Sequence, residues 1–122
     1  MAVTRLWRKL KTGDFSSIDR ANTVVVLPLA AIEQHGPHLP LDVDLVCPGG
    51  IAKGTGLQIP DKILVLPIIA YGYTGHVMDF PGTINNDSEH FIHHVLDITK
   101  SLAYHGFKKI IHRYKTPDEK LM

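Results

Sequence analysis

Two apolar runs in this chain lack alternation. Thr23-Val24-Val25-Val26-Leu27-Pro28-Leu29-Ala30 and Lys62-Ile63-Leu64-Val65-Leu66-Pro67-Ile68-Ile69 are apolar or β-branched at nearly every position. A strand with one wet face alternates apolar and polar residues, so an unbroken run predicts a strand buried on both faces, as in a parallel sheet. Phe107-Lys108-Lys109-Ile110-Ile111 begins a third strand. Before it the period changes: Phe91, Val95, Ile98 and Leu102 repeat at helical spacing, with Ile92, Leu96 and Ala103 beside them. Asp87 or Ser88 supplies an N-cap for this helix, and Gly106 stands where a C-terminal cap belongs. Its opposite face carries His90, His94 and Asp97. A histidine pair one turn apart can hold a metal, but a solvated helix face is the simpler expectation.

The remaining segments are less regular. Leu45–Leu57 is a helix by position, yet Pro48, Gly49, Gly50, Gly54 and Gly56 make it a poor one. Each interior glycine costs roughly 1 kcal/mol against alanine, so this helix needs tertiary support. A phosphate-loop reading of Gly49–Thr55 fails, because the order is Lys53-Gly54-Thr55 rather than Gly-Lys-Thr. Leu6, Trp7 and Leu10 predict a short amphipathic helix, with Trp7 as a packing anchor, and Ser16–Asn22 a second turn. The long loop from Ala70 to Asn86 holds His76, Asp79 and a rigid turn, Phe80-Pro81-Gly82-Thr83.

Composition narrows the partners. At 122 residues there is room for one domain with a real core. A formal net charge of +1 gives no reason to expect nucleic acid. No apolar run reaches the length of a membrane span, and no apolar segment follows Arg5, Arg8, Lys9 and Lys11, so neither a membrane partner nor a secretory signal is expected. The single cysteine, Cys47, excludes an internal disulfide and fits a reducing compartment. A cytoplasmic protein is the default.

Candidate chemistry concentrates after the first strand. Glu33, His35, His38 and Asp44 occupy a stretch that contains two prolines and a glycine but no lysine or arginine. Glu33 and His35 are two apart, so an extended chain points both to one side. The loop is long enough to double back and add Asp44. Carboxylate and imidazole together suit Zn²⁺, Mn²⁺, Co²⁺ or Fe²⁺, and no cysteine lies close enough to suggest a thiolate site. Spacing alone leaves a second reading equally open, a polar loop that simply caps a strand. Eight histidines in 122 residues weigh toward the metal.

Leu-Pro-Leu-Ala-Ala-Ile-Glu-Gln-His-Gly-Pro-His-Leu-Pro-Leu-Asp-Val-Asp, residues 27–44, resembles the signature of the creatininase (creatinine amidohydrolase) family. Tyr71-Gly72-Tyr73-Thr74-Gly75-His76, followed by Phe80-Pro81-Gly82-Thr83-Ile84, resembles that family's second loop. The likeness covers roughly residues 20–111. It implies an α/β fold, layered α/β/α around a mainly parallel sheet, here cut to about half. Residues 1–122 would form a single, incomplete domain, with 112–122 a divergent tail. Where the family continues into a loop with a further histidine ligand, this chain reads His112-Arg113-Tyr114-Lys115-Thr116-Pro117-Asp118. An ungapped register would put Thr116 at the ligand histidine and Asp118 near a glutamate; His112 is the local stand-in.

The resemblance also implies a chemistry. Glu33 and His35 would each hold one of two divalent ions, zinc or manganese with iron(II) a further option, and Asp44 would bridge them. His38 and Gln34 would support catalysis by orienting those ligands. The implied reaction is hydrolysis of a C–N bond in a small cyclic or linear amide by metal-activated water, creatinine being one family substrate. Against this stands a non-catalytic homologue that folds, oligomerises and binds metal weakly, or one that needs a partner chain for its missing half. The exposed edge and face of the third strand would favour self-association, so a homo-oligomer is expected.

Overall fold

The computed structural model describes residues 6–59 and 61–113. Three parallel strands form one sheet: β1 (Val24–Pro28), β2 (Ile63–Val65) and β3 (Lys109–Arg113), in the order β2-β1-β3. Val24 aligns with Ile63 on one side and Lys109 on the other. Two helices complete the layers, α1 (Val43–Gln58) between β1 and β2, and α2 (Ser88–Tyr104) before β3.

The unbroken apolar runs are explained by their surroundings. Alternate residues of β1 enter opposite layers. Val25 and Leu27, with Leu29 just beyond, pack with Leu64, Leu66, Ile69, Leu102 and Phe107 on the α2 side, where Phe91, Val95 and Ile98 join them. Val26 packs with Ala52, Ile63 and Val65 on the α1 side. A strand covered on both faces has no polar positions to alternate. The expected layered α/β/α arrangement with a parallel sheet is therefore present. No helix among the described residues is long and apolar enough to cross a membrane.

Helix α2 begins and ends as its sequence requires. The Asp87 carboxylate accepts the Glu89 N–H at 3.2 Å. Gly106, at φ +92°, closes the other end, and the Phe107 N–H reaches the Leu102 carbonyl. His90 and His94 are exposed, as a solvated helix face requires, and with Trp7, Ile98, Tyr71 and Asn86 they also line an open cleft.

The amino-terminal segment departs from expectation. Instead of an amphipathic helix it forms two 3-10 turns, Trp7–Lys9 and Thr12–Ser17. Asp14 secures the second by accepting the Lys11 N–H at 2.8 Å. Trp7 is the packing anchor, its ring centroid 4.8 Å from Phe15 and 5.2 Å from the buried Phe107. Strand β3 runs past Ile111, with His112 beside Leu27 and Arg113 beside Pro28. Residues 114–122, including Thr116 and Asp118, lie outside the described residues.

Candidate metal centre

All three strands point the same way, so their carboxyl ends share one side of the sheet, where open α/β sheets bind ligands. The chain leaving β1 stays tied to both neighbours: the Leu29 N–H donates to the Arg113 carbonyl at 2.7 Å and the Ala30 N–H to that of Ile69 at 2.8 Å. Two residues on, Ile32 meets Ile84 in an isolated antiparallel bridge. Glu33 follows at once and is buried. The Gln34 N–H donates to Thr83 Oγ1 at 3.2 Å, while the Gln34 side-chain oxygen accepts the Gly36 N–H at 2.9 Å. Gly36 turns the chain at φ +85°, a conformation that disfavours side chains with a Cβ. The chain then returns to the first turn of α1, which carries the buried Asp44. A helix amino terminus favours a carboxylate there.

Glu33, His35 and Asp44 converge. Each offers one donor atom, and the three atoms lie within 4.8 Å of one another. His35 Nε2 is 3.5 Å from Asp44 Oδ1. The other ring nitrogen, Nδ1, lies 3.0 Å from the Glu33 carbonyl. A carbonyl only accepts, so Nδ1 carries a proton, and in the neutral ring Nε2 keeps its lone pair. That is the tautomer a metal ligand needs, oriented by a backbone acceptor as ligating histidines commonly are.

The donor set fits a divalent ion. Zn–N and Zn–O bonds of about 2.0–2.1 Å at tetrahedral angles put neighbouring donors roughly 3.3 Å apart, close to the His35–Asp44 separation. Two carboxylates buried this close repel unless positive charge accompanies them. With oxygen and imidazole donors and no thiolate, the set suits zinc or manganese.

The other candidates lie elsewhere. His38 is exposed beside Gly36, where an added Cβ would stand 3.2 Å from its ring. His112 reaches Thr99 Oγ1 on α2 at 2.9 Å rather than the cluster. His76 and Asp79 are exposed in the second loop, His76 with its ring 6.3 Å from that of Tyr73. The rigid turn expected at Phe80–Thr83 does pack beside the ligand loop: a Cβ on Gly82 would come within 2.9 Å of Leu41.

Sequence reasoning missed the groups that hold this second loop. Thr74 is fully buried; its hydroxyl donates to the Ile84 carbonyl at 2.7 Å and its N–H to Asn85 Oδ1 at 2.8 Å. Gly72 passes so close to β1's extension that a Cβ would meet the Ala30 carbonyl oxygen at 2.5 Å. The available signal was membership of the second family motif, which contains both Gly72 and Thr74 but does not show what either one touches.

The family model for creatininase (creatinine amidohydrolase) matches residues 8–112. Creatinine amidohydrolase of Pseudomonas putida is 36% identical over 93 residues, which are 72% of this chain and 35% of the relative. Mycofactocin precursor peptide peptidase of Mycobacterium tuberculosis (strain H37Rv) is 33% identical over 89 residues, 66% of this chain and 36% of its own length. A solved creatininase variant complexed with creatine superposes with a TM-score of 0.84 at 29% identity, covering 93% of this chain and 45% of that one. A Zn-Zn type creatininase gives 0.81 at 30% identity, covering 90% and 44%, and one labelled Mn gives 0.83 at 28%, covering 93% and 46%. The chain thus spans about a third of the length of the curated relatives it matches. With the family model covering residues 8–112, the chain belongs to the creatininase family.

Proposed function

We propose that this chain carries the metal-binding part of a creatininase-type amidohydrolase. Glu33, His35 and Asp44 hold divalent zinc or manganese, and the reaction is hydrolysis of a C–N bond in a small cyclic or linear amide. The observation that carries this reading is the convergence of two carboxylates and one imidazole within 4.8 Å at the carboxyl end of β1, the imidazole held through Nδ1 by the Glu33 carbonyl. The creatine complex and the zinc and manganese forms among the structural neighbours support the substrate class and the metals.

A bound divalent ion supplies a lowered pKa for its water and polarises the scissile carbonyl. The chain's own part is placement. His35 presents Nε2 because its other nitrogen is engaged by the Glu33 carbonyl. Asp44 is fixed by the first turn of α1, and Glu33 by the bridge at Ile32. Gln34 and His38 act as supporting groups for the ligand loop: Gln34 holds the turn through the Gly36 N–H, and the His38 ring stands beside Gly36 in the same turn. The reading includes a cytoplasmic homo-oligomer. A single cysteine fits the compartment, and exposed Ile92, Leu96 and Ile111 supply apolar surface for association.

A second reading, metal binding without turnover, is favoured by one observation. Among the described residues only three donors converge, fewer than a two-metal site employs. Elemental analysis of protein loaded with Zn²⁺ or Mn²⁺, beside Asp44→Ala, tests the shared premise. Retained metal that is lost in the variant supports the ligand set, whereas a content unchanged by Asp44→Ala overturns it. Creatinine and a linear amide then separate the two readings by the presence or absence of hydrolysis.

A further inference from the structure

We infer that Thr83 is a positioning residue for the metal centre, acting through the single peptide unit that joins Glu33 to Gln34. The inference rests on the ligand assignment above and deepens it. A peptide group is planar, so its C=O and N–H turn together. In this unit the Glu33 carbonyl accepts from His35 Nδ1 at 3.0 Å, and the Gln34 N–H donates to Thr83 Oγ1 at 3.2 Å. One rigid plane is therefore held from both edges, by the ring of a ligand on one side and by the hydroxyl of Thr83 on the other. Rotating that plane would swing the carbonyl away from Nδ1 and release the orientation of Nε2 toward Asp44.

The hydroxyl stands where a backbone carbonyl would serve in a regular sheet. Ile32 and Ile84 form only an isolated bridge, with the Ile84 N–H donating to the Ile32 carbonyl at 3.0 Å. The ladder does not continue, so the next N–H on the ligand strand, that of Gln34, is satisfied by a side chain. Thr83 is itself immobilised. It is buried, its N–H reaches the Phe80 carbonyl at 3.3 Å, and the following carbonyl, that of Ile84, is held by the Thr74 hydroxyl at 2.7 Å. A hydroxyl on so fixed a backbone can impose its position on the loop it touches.

Partners that orient metal ligands without touching the metal are worth about 10–100-fold in metal affinity. Thr83→Val keeps the shape and removes the acceptor, while Thr83→Ser keeps the hydroxyl. Zn²⁺ dissociation constants, read by competition with a chromogenic chelator, should rise about tenfold in Thr83→Val and stay within about threefold of the parent in Thr83→Ser. In the metal-free protein, the Gln34 amide should exchange with solvent faster in Thr83→Val but not in Thr83→Ser. Unchanged affinity in Thr83→Val overturns the inference. So does equal weakening in both variants with an equal fall in metal-free Tm, which would mark Thr83 as structural only. Thr83→Ala replaces the valine variant if that one does not fold. Zinc binding that is absent in the parent, or undiminished in Asp44→Ala, refutes the ligand assignment instead and this inference with it.

Discussion

The two helices of this protein reverse the usual relation between local sequence and function. Helix α2 obeys every local rule, with an Asp87 cap, an apolar face at helical spacing and a glycine stop, yet no proposed metal ligand lies on it. Helix α1 breaks those rules. It contains Pro48 and several glycines, and Asp42 makes no side-chain cap, yet its first turn delivers Asp44. The difference lies in what each helix presents to the sheet. The buried residues of α1 are Asp44, Pro48, Ala52 and Gly56, a stripe at intervals of four with almost no side-chain bulk. Such a stripe lets the helix lie close to β1 and β2, and closeness brings Asp44 within reach of His35. α2 stands off on larger residues, Phe91, Val95, Ile98 and Leu102. Weak propensity in α1 is the consequence of a seam built from small residues.

Two substitutions set stability against site geometry across this contrast. Leu102→Ala removes the buried anchor of α2 and should destabilise the protein by about 3 kcal/mol in urea unfolding, with zinc affinity in the folded protein unchanged. Ala52→Leu forces bulk into the α1 seam and should cost about 2 kcal/mol, less than Leu102→Ala, while weakening zinc because α1 is pushed off the sheet and carries Asp44 with it. Zinc affinity lost in Leu102→Ala, or kept in Ala52→Leu, would break the division between a helix that stabilises and a helix that positions.

Much of this architecture could be read before the fold was known, for reasons that differ by element. β1 and β2 were readable because burial on both faces leaves an unbroken apolar run, and α2 because its face and caps are local signals. The ligand loop was readable because two carboxylates and a histidine gathered without a basic residue is an unusual composition, strengthened by a family motif. Other features had no local signature. Nothing near Thr83 in sequence shows that its hydroxyl reaches Gln34, since the two are 49 positions apart. The need for glycine at position 72 comes from the Ala30 carbonyl, which only the assembled sheet brings close. The 3-10 turns at the amino terminus follow from packing of Trp7 against Phe15 and Phe107, again a long-range cause.

The smallest effect tests whether all of α1's weakness is needed. Gly50 lies inside the helix but outside the buried stripe; it is exposed, and a Cβ built there meets nothing within 4 Å. If glycine serves close packing only at the seam, Gly50 contributes nothing to the approach and merely loosens the helix. Gly50→Ala should then stabilise the protein by about 0.8 kcal/mol, through lower backbone entropy in the unfolded chain and better helix propensity. Zinc affinity should hold or rise slightly, because a firmer first half of α1 holds Asp44 more steadily. The measurement is the urea midpoint of the variant against the parent, with the slope compared to confirm that only stability has changed. A lower midpoint would mean that Gly50 meets something in the assembled protein that its open surroundings in a single chain do not show. The seam explanation would then cover only part of the helix.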